Sequence, residues 1–159
     1  EELKNKEEYY SLKYCEKSLV ASGEQSFLYM IINGQLPSGR YQTITPCFRH
    51  ENQKDLTHRK YFMKNELIIY EESGFAPLEI SCKVLVDHAI KFYEEYLGDK
   101  VSVNKISKNQ TDIECDCGGL GKIELGSFGI RQYNGIKWIY GTGCAEPRLS
   151  TVIEILKNP

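Results

Sequence analysis

The stretch Arg40-Tyr-Gln-Thr-Ile-Thr-Pro-Cys-Phe48, then Arg49-His-Glu-Asn-Gln-Lys-Asp-Leu-Thr-His-Arg-Lys60, then Tyr61-Phe-Met-Lys-Asn-Glu-Leu-Ile-Ile-Tyr70 decides the fold. Its outer segments are rich in β-branched and aromatic residues, and the first follows a Pro-Ser-Gly turn. The middle segment is charged and polar. This pattern predicts two antiparallel strands joined by a polar loop.

Working outward, apolar residues recur at helical spacing from Ala76 to Leu97, at Ile80, Val84, Leu85, His88, Ala89, Phe92, Tyr93 and Tyr96, and Gly98 supplies a C-terminal stop. That predicts one long helix. Short strands are expected at Val101 to Lys105, Asp112 to Cys117, Lys122 to Phe128 and Lys137 to Tyr140. Gly141, Thr142 and Gly143 then break the pattern before a helix with Pro147 in its first turn and Val152, Ile153 and Leu156 on its buried face. Upstream, Ser22 with Gln25 satisfies a capping box for a helix through Phe27, Leu28 and Ile31. Strands dominate without regular alternation with helices, so the expected class is α+β, with a mixed, mostly antiparallel sheet flanked by helices.

Composition sets outer limits. The chain has 159 residues, 41% hydrophobic and 26% charged, which suits one globular domain and excludes a disordered polyelectrolyte. Twenty Lys and Arg against 22 Asp and Glu leave a net charge of −2, short of the basic balance of a dedicated nucleic-acid binder. The longest apolar run, Phe27 to Ile32, is too short to span a bilayer, and no partnership with a membrane is expected. The charged first residues show neither a secretion signal nor a transit peptide. Six dispersed cysteines fit reduced thiols, so the expected location is cytoplasmic.

Phe48, Arg49, Glu51, His58, Phe62 and Glu66 together read Phe-Arg-x-Glu, then His-x-x-x-Phe-x-x-x-Glu. This resembles the second signature motif of class II aminoacyl-tRNA synthetases, itself two antiparallel strands and their loop. The resemblance implies that Arg49 clamps the α-phosphate of ATP, that Glu51 accepts from the adenine amino group, that Phe62 stacks on adenine and that His58 lies near the outer phosphates. Arginine suits such work because its planar fork stays charged and grips phosphate at two points. Taken alone, Arg-x-Glu on a strand is commonly a solvated ion pair; six positions in register make the difference.

Gly141-Thr-Gly143-Cys-Ala-Glu-Pro-Arg148 resembles the third class II motif. In the family its glycines let adenine lie close to the strand, and the arginine at the head of the helix reaches the γ-phosphate, where free amides also favour an anion. Glu124-Leu-Gly-Ser127 is similar to the pair that holds magnesium in seryl-type enzymes, although Glu124 also reads as an exposed strand carboxylate. Ser22-Gly23-Glu24 stands where those enzymes carry a Thr-x-Glu loop, which implies that Glu24 binds the substrate ammonium and that Glu66 faces the amino-acid pocket. Cys115-Asp116-Cys117 lacks a second pair at zinc-finger spacing, so zinc is not expected.

The resemblance, closest to the seryl, prolyl and threonyl group, implies a single catalytic domain over residues 1–159. It implies a ligase that uses ATP and Mg2+ to form an aminoacyl adenylate and passes the amino acid to tRNA or a carrier. No counterpart of the first family motif, which builds the family's homodimer, stands before Ser22, so a partial core is expected, dimeric in the intact protein. The same gap supports an alternative: a catalytically silent relative that binds or regulates. Tyr140 replaces a polar residue common in seryl enzymes, and the amino acid is left open.

Overall fold

A computed structural model describes residues 13–50, 57–71 and 77–158. The short strands β1 (Lys13–Tyr14) and β2 (Lys17–Ser18) pair with one another. Helix α1 (Gly23–Ile32) follows, then β3 (Gly39–Phe48), β4 (Tyr61–Tyr70), the long helix α2 (Leu78–Leu97), β5 (Val101–Ser107), β6 (Gln110–Asp116), β7 (Lys122–Tyr133), β8 (Ile136–Glu146) and α3 (Arg148–Lys157). Strands β3 to β8 form one six-stranded sheet in the order β3-β4-β8-β7-β6-β5, and every pairing in it is antiparallel. The α+β class holds, and the expected minority of parallel pairings is absent among the described residues.

The β3–β4 hairpin runs in unbroken register from Gly39 opposite Tyr70 to Phe48 opposite Tyr61. Pro46 sits within β3, which is possible because β3 is an edge strand and a missing amide there breaks no second ladder. Strands β7 and β8 are longer than expected. Asn134 and Gly135, both at positive φ, join them in a tight turn that lets pairing run from Tyr133 opposite Ile136 up to Phe128 opposite Gly141. Strand β8 continues through Gly141 to Gly143 to Glu146, so these glycines do not end the strand.

Two cores sandwich the sheet. On one face α2 and α3 bury Val86, Tyr93, Leu97, Leu149 and Val152 against Ile113, Leu125 and Phe128. On the other, α1 lays Phe27 and Leu28 over Ile68, Trp138 and Tyr140. The long helix departs from its expected buried face: Ile80, Val84, Phe92 and Tyr96 are exposed, whereas Val86 and Leu97 are buried. Both rows recur at helical spacing, and periodicity alone does not say which one meets the sheet.

Two bulges shape the face occupied by α1. In β7, Glu114 opposes Glu124 while Ile113 opposes Gly126, leaving an extra residue at Leu125. In β8, Glu66 opposes Thr142 while Asn65 opposes Cys144, leaving an extra residue at Gly143. The two bulges adjoin, since a Cβ on Gly126 would lie 2.3 Å from the Thr142 carbonyl. The buried Tyr93 hydroxyl of α2 reaches both, lying 3.0 Å from the Leu125 carbonyl and in contact with that of Gly143.

Candidate active site

Side chains alternate between the faces of a strand, so residues three apart ordinarily point opposite ways. The extra residue at Leu125 overturns this for Glu124 and Ser127. Leu125 and Phe128 turn into the helix-side core, while Glu124 and Ser127 line one cleft on the other face. The bulge at Gly143 likewise brings both Thr142 and Ala145 to the cleft. Bulges commonly re-aim side chains beside functional sites.

The outer part of the cleft is bounded by Arg49, His58, Phe62, Glu124 and Arg148. Arg49 follows β3, where its amide donates to the Lys60 carbonyl at 3.0 Å and its guanidinium stands 5.1 Å over the Phe62 ring. Such stacking holds the guanidinium without consuming its hydrogen-bond donors. Arg148 opens α3, donates to the Glu124 carbonyl at 3.1 Å and stands 3.7 Å from its half-exposed carboxylate. Thus Arg49 comes from the hairpin and Arg148 from the head of a helix, and they share one cleft. Glu51 lies outside the described residues.

The inner part, a cavity of about 170 Å3, is lined by Glu24, Glu66, Ser127, Arg131, Tyr140 and Thr142, and shares Arg49 and Glu124 with the outer part. Drug-sized ligands occupy pockets of roughly 300–1,000 Å3, so this space suits a small polar molecule. Glu66 is only 3% exposed and fully engaged: Ser22 Oγ and the Gly23 amide donate to its two oxygens, and Lys64 Nζ lies at 2.7 Å. A buried carboxylate needs such partners to stay charged. Gly23 is required for this contact, since a Cβ there would lie 2.7 Å from Glu66 Oε2. The N-cap of α1 is Ser22, whose hydroxyl accepts from the Glu24 amide at 3.3 Å, so the helix start and the Glu66 anchor are one device.

Glu24 is clamped as well. Arg131 pairs with it, and the Trp138 indole donates to it at 2.7 Å. The Arg131 guanidinium is also stacked 3.9 Å from the Tyr140 ring. Burial pushes the Tyr140 phenol up, opposed by its hydrogen bond to Ser127. Ser127 in turn accepts from Gln110 at 3.3 Å.

Gly141 and Gly143 are buried in β8, and their missing side chains face the helix-side core: a Cβ on Gly141 would lie 2.7 Å from the Phe128 ring, and one on Gly143 would crowd Asn65 and Leu67. Lys64, Arg131, Trp138 and Thr142 join the site without having been singled out by sequence. Lys64 carried a signal, standing two before Glu66 on one strand face; Arg131 and Trp138, over a hundred residues from Glu24, carried none.

Cys115 and Cys117 are buried at the end of β6, and burial pushes the Cys115 thiol up to about 12. Among the described residues no group of three or more metal-ligating side chains occurs. Nor is any described helix long and apolar enough to cross a membrane.

The chain has the fold of a class II aminoacyl-tRNA synthetase catalytic domain. Among solved structures it is similar to seryl-tRNA synthetase from Pyrococcus horikoshii complexed with ATP, with TM-score 0.71 and 16% identity over 97% of this chain and 42% of that one. It is also similar to the pyrrolysyl-tRNA synthetase PylSc of Desulfitobacterium hafniense (TM-score 0.63, 18% identity, covering 91% and 53%). A third is the cytoplasmic serine-tRNA ligase of Naegleria fowleri in complex with AMP (TM-score 0.65, 16% identity, covering 91% and 42%). The chain thus spans about half or less of each solved chain. At the level of sequence, no family model and no curated protein matches.

Proposed function

We propose that this chain is the nucleotide-binding part of a ligase that activates an amino acid with ATP. The observation that carries the reading is the convergence of Arg49, Phe62, His58 and Arg148 on one cleft beside a polar cavity. In this reading adenine stacks on Phe62, displacing the Arg49 guanidinium toward the α-phosphate, and Glu51 meets the adenine amino group. His58 and Arg148 hold the outer phosphates. The amino acid lies in the inner cavity near Glu24 and Glu66, and its carboxylate attacks the α-phosphorus as pyrophosphate leaves. Fixed cations placed where phosphoryl charge builds supply most of the rate in such a transfer.

Glu124 and Ser127, aimed the same way by the bulge, offer the one carboxylate and one hydroxyl that suit magnesium, which otherwise keeps water and phosphate oxygens. When bound there it would neutralise charge on the phosphates. The acceptor in this reading is tRNA or a carrier.

One observation favours a second reading, a silent relative that binds without turnover: Glu24 and Glu66 are already satisfied by Arg131, Trp138, Lys64, Ser22 and Gly23. Two measurements separate the readings. Amino-acid-dependent exchange of pyrophosphate into ATP is expected of the ligase, and its absence with all twenty amino acids leaves the silent relative. Calorimetric ATP titration is expected to show magnesium-dependent binding weakened at least tenfold in Arg148→Ala, and no binding to the folded chain would overturn both.

A further inference from the structure

Donors and acceptors in the inner cavity are unequally spent. Its charged lining consists of the carboxylates of Glu24, Glu66 and Glu124 and the cations Arg49, Lys64 and Arg131. Each oxygen of Glu24 already has a donor, Arg131 on Oε2 and the Trp138 indole on Oε1. Each oxygen of Glu66 has one as well, Ser22 on Oε1 and the Gly23 amide on Oε2, with Lys64 Nζ 2.7 Å from Oε1. Arg131 differs. A guanidinium carries five N–H donors in one plane, yet among the described residues this one donates through Nη1 alone, to Glu24. Its side chain remains 35% exposed where it lines the cavity.

Trp138 keeps the pair in this state. Arginine and carboxylate readily grip each other at two points, one nitrogen to each oxygen. With the indole on Oε1 at 2.7 Å, Glu24 has only Oε2 to give, so Arg131 is held by one corner. Tyr140 holds it by the face, with the guanidinium carbon 3.9 Å from the ring centroid. Stacking on an aromatic ring leaves the edges of the fork available. The edge formed by Nε and Nη2 is therefore fixed in place and unspent, in the geometry that takes both oxygens of a second carboxylate. Arg49 also has donors to give, but in the proposed function these go to the α-phosphate.

We propose that the amino acid taken by the inner cavity is acidic, its side-chain carboxylate docking on the Nε and Nη2 edge of Arg131. Its ammonium then lies against Glu24 and Glu66, and its α-carboxylate points toward Arg49. Activation of this acid rests on the ligase reading, whereas its binding rests on the cavity alone and holds for a silent relative too. An amide in the same place sets its own N–H groups against the fork and leaves a donor unpaired. A site built for a hydrogen-bonding group rejects the analogue that lacks it, and a basic side chain meets Arg131 as a like charge.

Calorimetric titration of the full chain with aspartate, glutamate, asparagine, glutamine, serine and lysine, with and without MgATP, tests this. Aspartate or glutamate is expected to bind at least about tenfold more tightly than its own amide, serine or lysine. Arg131→Gln should abolish the preference for acid over amide, and Arg131→Lys should keep part of it, since the charge remains without the fork. Trp138→Phe frees Glu24 to take Arg131 at both points and should weaken acid binding several-fold with every charge retained, an effect that a purely structural ion pair would not produce. Circular dichroism confirms that each variant is folded. Pyrophosphate exchange with the same amino acids separates this proposal from the ligase reading: acid binding without exchange sinks that reading and still supports the acidic ligand. No binding of either acid, tighter binding of or faster exchange with an amide, serine or lysine, or an acid preference indifferent to the Arg131 variants overturns the proposal.

Discussion

Replacing Tyr93 with Phe removes one oxygen and keeps the ring that fills the helix-side core. The hydroxyl is fully buried and contacts two carbonyls, those of Leu125 and Gly143, at the two places where the ladder is interrupted by bulges. Burial raises the phenol well above its ordinary value, so it is a neutral donor at any working pH. Losing a buried hydrogen bond costs about 1 kcal/mol, and leaving an acceptor unpaired adds roughly 1–3 kcal/mol. A total of about 2–4 kcal/mol corresponds to a fall in Tm of roughly 4–16 °C for a chain of this size.

The informative readout is taken well below that temperature. With the bulge at Leu125 loosened, Glu124 and Ser127 lose their common aim, so the gain in ATP affinity on adding magnesium should shrink several-fold while magnesium-free affinity changes little. Leu97→Ala is the control, since it leaves a cavity costing roughly 2–5 kcal/mol at the far end of α2 without touching either bulge. Calorimetric titration at 20 °C with and without magnesium distinguishes them. If Tyr93→Phe melts with the parent, or both variants lose the magnesium effect equally, the hydroxyl does not hold the bulges in place.

Gly23→Ala forces a methyl to within 2.7 Å of Glu66 Oε2 and 3.0 Å of Thr43, and is expected to cost about 1–3 kcal/mol in urea unfolding. Alkylation at pH 8 followed by peptide mass spectrometry should label exposed Cys15 within minutes and spare Cys144, whose thiol burial and Glu146 push up to about 11. The same shift makes stability depend on pH. Cys144 ordinarily titrates at 9.0, so its contribution is complete below that value and is lost as pH rises through about 11, lowering the urea midpoint across this window.

The β3–β4 hairpin and the three helices were legible because each rests on local chemistry: alternation, turn residues, caps. The cleft was legible in part for the same reason, since Arg49, His58, Phe62 and Arg148 sit at fixed offsets on those elements. What escaped is non-local. Spacing alone would set Glu124 and Ser127 on opposite faces, and only the pairing of β7 with β6 reveals the bulge. The clamp of Arg131 and Trp138 on Glu24 is created by the sheet bringing distant segments together. The outer apolar residues of α2 are the instructive error: Ile80, Val84, Phe92 and Tyr96 recur at helical spacing, yet the sheet meets the opposite side of the helix and leaves them exposed. The Asn134-Gly135 pair, by contrast, is itself a strong local hairpin signal, sufficient to extend β7 and β8.

The pairing of β4 with β8 places Met63 opposite Glu146 and Tyr70 opposite Trp138, with α2 and three strands intervening in the chain. The hairpins on either side are local and can close quickly, whereas this seam must wait for a large loop to be drawn in. It is also the seam along which Arg49 and Phe62 meet Thr142 and Arg148. During synthesis the two walls of the cleft emerge at different times, and the pocket exists only once the C-terminal strand has docked; a nascent chain lacking β8 would hold the Arg49 hairpin without any floor beneath it.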